Sequence, residues 1–110
     1  MDIVVNKLTG ATQASLFNEI MYFVASANSL GKTLIKLTLD EYSEDKLPTK
    51  ITTVERVLKG MKRDGRIQLY IYSANLGGES TESQYLYNKY PSISNFASEG
   101  SFYIVKLEQK

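Results

Sequence analysis

The sequence predicts a single α+β domain. Two segments carry apolar residues at helical spacing, and others show the alternating or continuous apolar patterns of β-strands. The chain has 110 residues, of which 43% are apolar and 23% are charged, fractions typical of one globular domain. We therefore expect residues 1–110 to form one unit, with strands near its ends at 2–8 and 101–107.

Composition excludes several kinds of chemistry. The chain contains no Cys and no His, so it has no disulfide, thiol nucleophile, zinc finger, iron–sulfur cluster or imidazole base. The carboxylate pairs with i, i+4 spacing lack a companion base; they are Asp40/Glu44 and Glu41/Asp45. We predict that the protein is not an enzyme and uses no cofactor or metal ion.

No segment has the pattern of a membrane span. The longest apolar-rich stretch, residues 16–27, is interrupted by Asn18 and Glu19 and is shorter than the roughly 20 residues that cross a bilayer. Residues 1–10 lack the apolar run of a signal peptide. We expect a soluble, cytoplasmic protein that does not bind membranes.

The first predicted helix covers residues 12–30. Thr12 is a suitable N-cap, and Gly31 lies where a left-handed residue ends a helix. The apolar residues recur every three or four positions, as on the buried face of a helix: Leu16, Ile20, Val24 and Ala27. Residues 32–37 follow as a short apolar-rich run, which predicts a strand.

Two further helices are predicted on either side of Pro48. Residues 38–41 have the form of a capping box and predict a helix over 39–47, which Pro48 would end because it restricts the preceding residue. A second capping box at 52–55 predicts a helix over 53–64. Its apolar face consists of Val54, Val57, Leu58 and Met61.

From residue 66 onward, every second residue is apolar, whereas in the preceding helix apolar residues recur every three or four positions. Ile67, Leu69 and Ile71 alternate with polar or aromatic residues, which predicts a half-buried strand. Gly77-Gly78 predicts a turn, and the tyrosine-rich residues 84–90 are predicted to form the second strand of a hairpin.

The segment 53–67, TVERVLKGMKRDGRI, resembles the winged helix-turn-helix family of DNA-binding proteins. Many members of that family show Thr-Val, then two apolar residues, and then a Gly and an Ile, all at fixed spacing. The corresponding residues here are Thr53-Val54, Leu58, Met61, Gly65 and Ile67. The likeness covers about residues 12–90 and is most specific over 37–67. It implies three helices, a β-hairpin wing and a homodimer.

The resemblance also implies a function. It suggests a small transcriptional regulator that binds double-stranded DNA sequence-specifically, with helix 53–64 in the major groove. The groove would be contacted by Thr49, Lys50, Thr53 and Arg56, and the phosphates by Lys59, Lys62 and Arg63. The same cations are also compatible with a solvated helix face.

A second hypothesis remains open for both function and fold. The acidic helix 39–47 and the tyrosines of the predicted hairpin suit a protein partner, as in an accessory or inhibitor module of a mobile element. The candidate protein interface consists of Tyr70, Tyr72, Tyr85 and Tyr87. The alternative fold is another small α+β sandwich, in which residues 32–37 form a central strand and no helix-turn-helix exists.

Overall fold

The computed structural model describes residues 3–39, 43–96 and 99–108. Its elements are β1 (Ile3–Lys7), α1 (Gln13–Ser29), β2 (Leu34–Thr38), α2 (Leu47–Arg63), β3 (Ile67–Tyr72), α3 (Thr81–Lys89) and β4 (Phe102–Leu107), with 3₁₀ turns at Ser73–Asn75 and Pro91–Phe96. The α+β class is confirmed, as are the predicted helix 12–30 and the strands predicted at 2–8, 32–37, 101–107 and from 66. No helix in this part of the chain is both long and apolar enough to cross a membrane.

β4 joins the two halves of the sheet. Among the described residues the sheet has four strands in the order β1-β2-β4-β3. β1 and β2 are parallel, whereas β4 runs antiparallel to both β2 and β3. β2 is therefore an interior strand, as the alternative sandwich predicts, and β1 and β3 form the edges.

α1 and α2 cover one face of this sheet. Thr12 caps α1, because its Oγ1 accepts a hydrogen bond from the Ser15 N–H at 3.1 Å. Gly31, with a φ of 69°, adopts the left-handed conformation predicted after the helix. The core beneath the two helices includes Leu16, Ile20, Val24, Leu37, Val54, Leu58, Met61, Tyr103 and Val105.

α3 and the turn Pro91–Phe96 cover the opposite face. Leu86 of α3 and Ile93 of the turn are buried there against residues of three strands: Leu34, Leu69, Ile71, Phe102 and Ile104. Both faces of β2 and β4 are consequently covered. This explains why every residue of these two strands is buried, without the alternation of a half-exposed strand.

The charged residue Lys36 also lies on this second face, and its side chain is buried, with only 4% of it exposed. Its Nζ lies 3.3 Å from Glu99 Oε2, and 4.6 and 4.7 Å from the ring centroids of Phe96 and Phe102. The ammonium group thus has an anionic partner and two aromatic rings, which offset the loss of water around a buried cation.

β3 contains an irregularity that changes which face its side chains occupy. Ile67 pairs with Leu107, but Leu69 already pairs with Lys106, so an extra residue is inserted between the two pairs. Ile67 consequently joins the core under α1 and α2, whereas Leu69 joins the core under α3. The predicted alternation of burial is confirmed, but the buried residues do not share one face.

The helix predicted over 53–64 begins earlier, at Leu47. Pro48 lies in its first turn, where the missing N–H interrupts no helical hydrogen bond, so the proline begins a helix rather than ending one. The separate helix predicted over 39–47 is wrong for residues 43–46, which form a turn closed by the Lys46 N–H and the Ser43 carbonyl at 3.0 Å. Residues 40–42 lie outside the described residues. The helix-turn-helix pair is not confirmed.

The hairpin strand predicted at residues 84–90 is also wrong, because most of this segment belongs to α3. Ser80 caps α3 by accepting the Ser83 N–H at 3.1 Å. The Ser83 Oγ in turn accepts the Gly77 N–H at 2.9 Å, which fixes the preceding turn against the helix. Since a helix replaces the strand, the β-hairpin wing is not confirmed.

The Ser80 cap provides a test of α3. We expect Ser80→Ala to lower the free energy of unfolding by about 1 kcal/mol, because the Ser83 N–H loses its acceptor. Thr81→Ala, at an exposed neighbouring residue, is the matched control and should change stability by less than about 0.5 kcal/mol. Urea unfolding followed by circular dichroism measures both effects; equal values would contradict the capped helix.

Candidate functional site

Four of the predicted DNA-contacting residues lie on the solvent-facing side of α2. All four are exposed: Arg56, Lys59, Lys62 and Arg63. We call this row the basic ridge. Arg56, Lys59 and Lys62 follow one another at intervals of three residues and Arg63 is four residues after Lys59, which places the cations along one side of the helix. The Arg63 side chain is 79% exposed. The ridge is therefore accessible to a large anionic partner.

The arginines of the basic ridge make weak contacts at its base. Arg56 Nη1 donates to Gln13 Oε1 of α1 at 3.5 Å, and Arg63 Nε donates to Asp64 Oδ1 at 3.4 Å. Exposed pairs of this kind add little to stability. A shallow cleft of about 360 Å³ lies between the two helices beside these residues, with Phe17 also on its wall.

Lys50 is buried, which contradicts its predicted place in the DNA groove. Its relative exposure is 7%. Because α2 begins at Leu47, Lys50 lies one turn before Val54 and falls on the same buried side of the helix as Val57 and Met61. In a helix that started at residue 53, as predicted, Lys50 would lie before the helix and would not belong to its buried face.

Thr49 and Thr53 both lie within α2, with different exposure. Thr49 is exposed, whereas Thr53 is half-buried. The Thr53 Oγ1 donates to the Thr49 carbonyl at 2.9 Å, and the neighbouring Thr52 Oγ1 donates to the Pro48 carbonyl at 3.0 Å. These hydroxyls satisfy helix carbonyls and do not form the predicted capping box.

The four candidate interface tyrosines do not form one surface. Tyr70 and Tyr72 of β3 pack against the core under α1 and α2, whereas Tyr85 packs against the core under α3. Tyr87 is half-buried on α3. The four tyrosines therefore do not share one face, because Tyr85 and Tyr87 lie on a helix and not on the predicted second strand of a hairpin.

Tyr70 and Tyr72 instead meet Tyr103 of β4 in a groove beside α2. The ring centroid of Tyr103 lies 6.2 Å from that of Tyr70 and 5.0 Å from that of Tyr72. The groove has a volume of about 500 Å³. We call it the tyrosine groove and define it by Glu55, Tyr70, Tyr72, Glu79, Glu82 and Tyr103. In the described part of the chain, no three acidic residues are grouped closely enough to hold a metal ion.

Glu55 and Tyr103 are site residues that the sequence patterns did not indicate. The Tyr103 hydroxyl lies 3.4 Å from Glu55 Oε2 and donates to it, while the Tyr72 hydroxyl lies 3.1 Å from Ser101 Oγ. Tyr72 stands directly opposite Tyr103 in the sheet. This pairing joins distant segments of the chain, so no local spacing signals it.

Two phenols of the tyrosine groove, those of Tyr70 and Tyr103, have raised pKa values. Burial is the main cause that raises the pKa of Tyr103 well above the usual value of 10.0, and the negative charge of Glu55 raises it further. The pKa of Tyr70 is raised for the same two reasons, mainly by burial and in addition by the negative charge of Glu55. Both hydroxyls are therefore neutral at physiological pH and can donate hydrogen bonds.

The shifted pKa of Tyr103 predicts a loss of stability at high pH. The folded protein binds this proton more tightly than the unfolded chain, whose phenols titrate near 10. The stabilisation is therefore complete below about pH 10 and is lost as the pH rises from 10 toward the folded pKa.

Thermal melts between about pH 8 and pH 11 measure this loss. Tyr103→Phe should make the decline less steep, because the residue no longer titrates. Tyr22→Phe is the control, since Tyr22 is 69% exposed and should leave the pH dependence unchanged. A decline of equal steepness in wild type and Tyr103→Phe would contradict the raised pKa of Tyr103.

Comparison with known proteins gives no family assignment. No protein-family model matches the chain, and no curated protein or solved structure shows significant similarity to it. The winged helix-turn-helix resemblance of residues 53–67 thus stays a prediction from local sequence. Function is inferred from the exposure, charge and contacts of the described residues.

Proposed function

We propose that the chain binds double-stranded DNA through the basic ridge of α2. The observation that carries the proposal is the exposure of all four ridge cations on one side of one helix. Exposed Lys and Arg side chains in such a row are suited to phosphate oxygens, which supply much of the affinity of DNA-binding proteins.

The dimensions of the ridge are compatible with a DNA strand. From Arg56 to Arg63 the helix advances seven residues, or about 10 Å at ~1.5 Å per residue. Phosphates follow one another every ~3.4 Å along the axis of one strand, so the ridge spans about three of them. The proposal does not require a winged helix-turn-helix, because α2 alone presents the row.

Sequence-specific recognition, and with it a role in transcription, is the finer form of this proposal. Of the predicted groove residues, Thr49 and Arg56 are exposed on α2 and would contact base edges in the major groove, whereas Thr53 is half-buried. Lys50 no longer contributes, because it is buried. A homodimer stays a prediction from the winged-helix resemblance.

Charge removal tests the proposal against a solvated helix face. We expect Lys59→Gln with Lys62→Gln to weaken binding to a duplex of about 20 base pairs by about tenfold for each lost phosphate contact near 0.1 M salt. The slope of log affinity against log salt should fall by about 1 for each contact. Fluorescence anisotropy of a labelled duplex measures both quantities.

The matched control removes two exposed lysines elsewhere. Lys7→Gln with Lys89→Gln gives the same net charge change, but the residues lie on β1 and α3. This variant should retain the wild-type affinity and salt slope. Equal losses in the two double variants would show a general charge effect and contradict a site on α2.

Selection from a random duplex pool then tests base recognition. Enrichment of one sequence by the wild-type protein, lost in Thr49→Ala with Arg56→Gln, is the expected result. If no sequence is enriched while the protein still binds duplexes, the protein contacts only the DNA backbone and does not recognise bases.

A further inference from the structure

The tyrosine groove presents several aromatic rings to one cavity. Tyr70 and Tyr72 are half-buried, and their ring planes are tilted by 56° and 53° against that of Tyr103. Rings tilted in this way do not cover one another's faces as stacked rings do. The face of an aromatic ring attracts a cation within about 6 Å of its centroid.

Three carboxylates also line the tyrosine groove. Glu55 comes from α2, Glu79 from the segment before α3, and Glu82 from the first turn of α3. Of the described residues along the walls, none is Lys or Arg. The groove therefore repels phosphate groups and attracts ammonium or guanidinium groups.

The protein already holds one cation by the same combination of groups. On the other face of the sheet, the Lys36 ammonium lies 4.6 and 4.7 Å from the ring centroids of Phe96 and Phe102 and 3.3 Å from a Glu99 carboxylate oxygen. The tyrosine groove has comparable components, two or three aromatic rings and a carboxylate, but no cation of its own among the described lining residues.

The position of the groove in the sheet indicates how such a cation would arrive. Tyr70 and Tyr72 belong to β3, which is an edge strand among the described residues. An edge strand offers backbone groups to an added extended segment, and pockets for alternate side chains then provide specificity. A volume of about 500 Å³ lies within the range of ligand sites and exceeds that of a single ammonium ion.

We propose that the tyrosine groove binds a lysine or arginine side chain on an extended segment of a partner protein. The tyrosine rings contact the cationic group and the carboxylates along the groove attract it, while the segment follows β3. This inference does not rest on the proposed DNA binding, because the four cations of the basic ridge are not among the lining residues of the groove.

Capped pentapeptides test the cationic specificity. The probes are Gly-Gly-Lys-Gly-Gly, its Arg analogue, its Nε-acetyl-lysine analogue, and spermidine as a free small cation. We expect both cationic peptides to shift the NMR signals of the Tyr70, Tyr72 and Tyr103 rings. The acetyl-lysine peptide should bind about tenfold more weakly or not at all, because it lacks the charge.

Two groups of variants locate the binding. Glu79→Gln with Glu82→Gln removes charge from exposed residues and should weaken the Lys peptide by about fivefold or more, whereas Glu108→Gln, outside the groove, should not. Tyr72→Leu should weaken it similarly, with exposed Tyr22→Leu as its control. The NMR spectrum of each variant reports whether the fold is retained.

Several outcomes would overturn the proposal. Equal binding of lysine and acetyl-lysine peptides would exclude recognition by charge, and unchanged affinity in folded Glu79→Gln/Glu82→Gln would place the peptide elsewhere. Spermidine binding as tightly as the peptides would exclude a protein segment as the specific ligand. Absence of ring-signal shifts at millimolar peptide would exclude the site itself.

Discussion

The central strand β4, which pairs with both β2 and β3, carries apolar side chains on both of its faces, and the sheet is therefore covered on both sides. All six residues of β4 are buried, so neither face is exposed to water. α1 and α2 supply one cover, and α3 with the following 3₁₀ turn supplies the other. The second cover includes a charge: Lys36 is buried there because Glu99 and two aromatic rings surround its ammonium group.

The start of α2 determines much of the surface chemistry. With Pro48 in the first turn, the helix is long enough to bury Lys50 and to bring Glu55 to the rim of the tyrosine groove. The later turns carry the cations of the basic ridge. One helix thus contributes to two surfaces of opposite charge. The net charge of the whole chain, +1, does not indicate this separation.

Sequence patterns predicted the elements that local periodicity determines. Leu16, Ile20 and Val24 repeat at helical spacing, and α1 follows them. α3 was missed because its tyrosines favour strands in general, while the evidence for a helix was the cap at Ser80. For the site, exposure of the α2 cations was predictable from the amphipathic pattern. The meeting of Tyr72 with Tyr103 depended on long-range strand pairing, which a single sequence does not reveal.

Glu55 lies where the two charged surfaces adjoin. It shares a small surface depression with Arg56 and Lys59, yet its carboxylate also accepts the Tyr103 hydroxyl in the groove. A polyanion on the ridge is therefore repelled by Glu55, and a cation in the groove offsets that repulsion. If both proposed ligands bind, DNA on the ridge and a cation in the groove would be coupled thermodynamically through this one carboxylate, each tightening the other by the same factor.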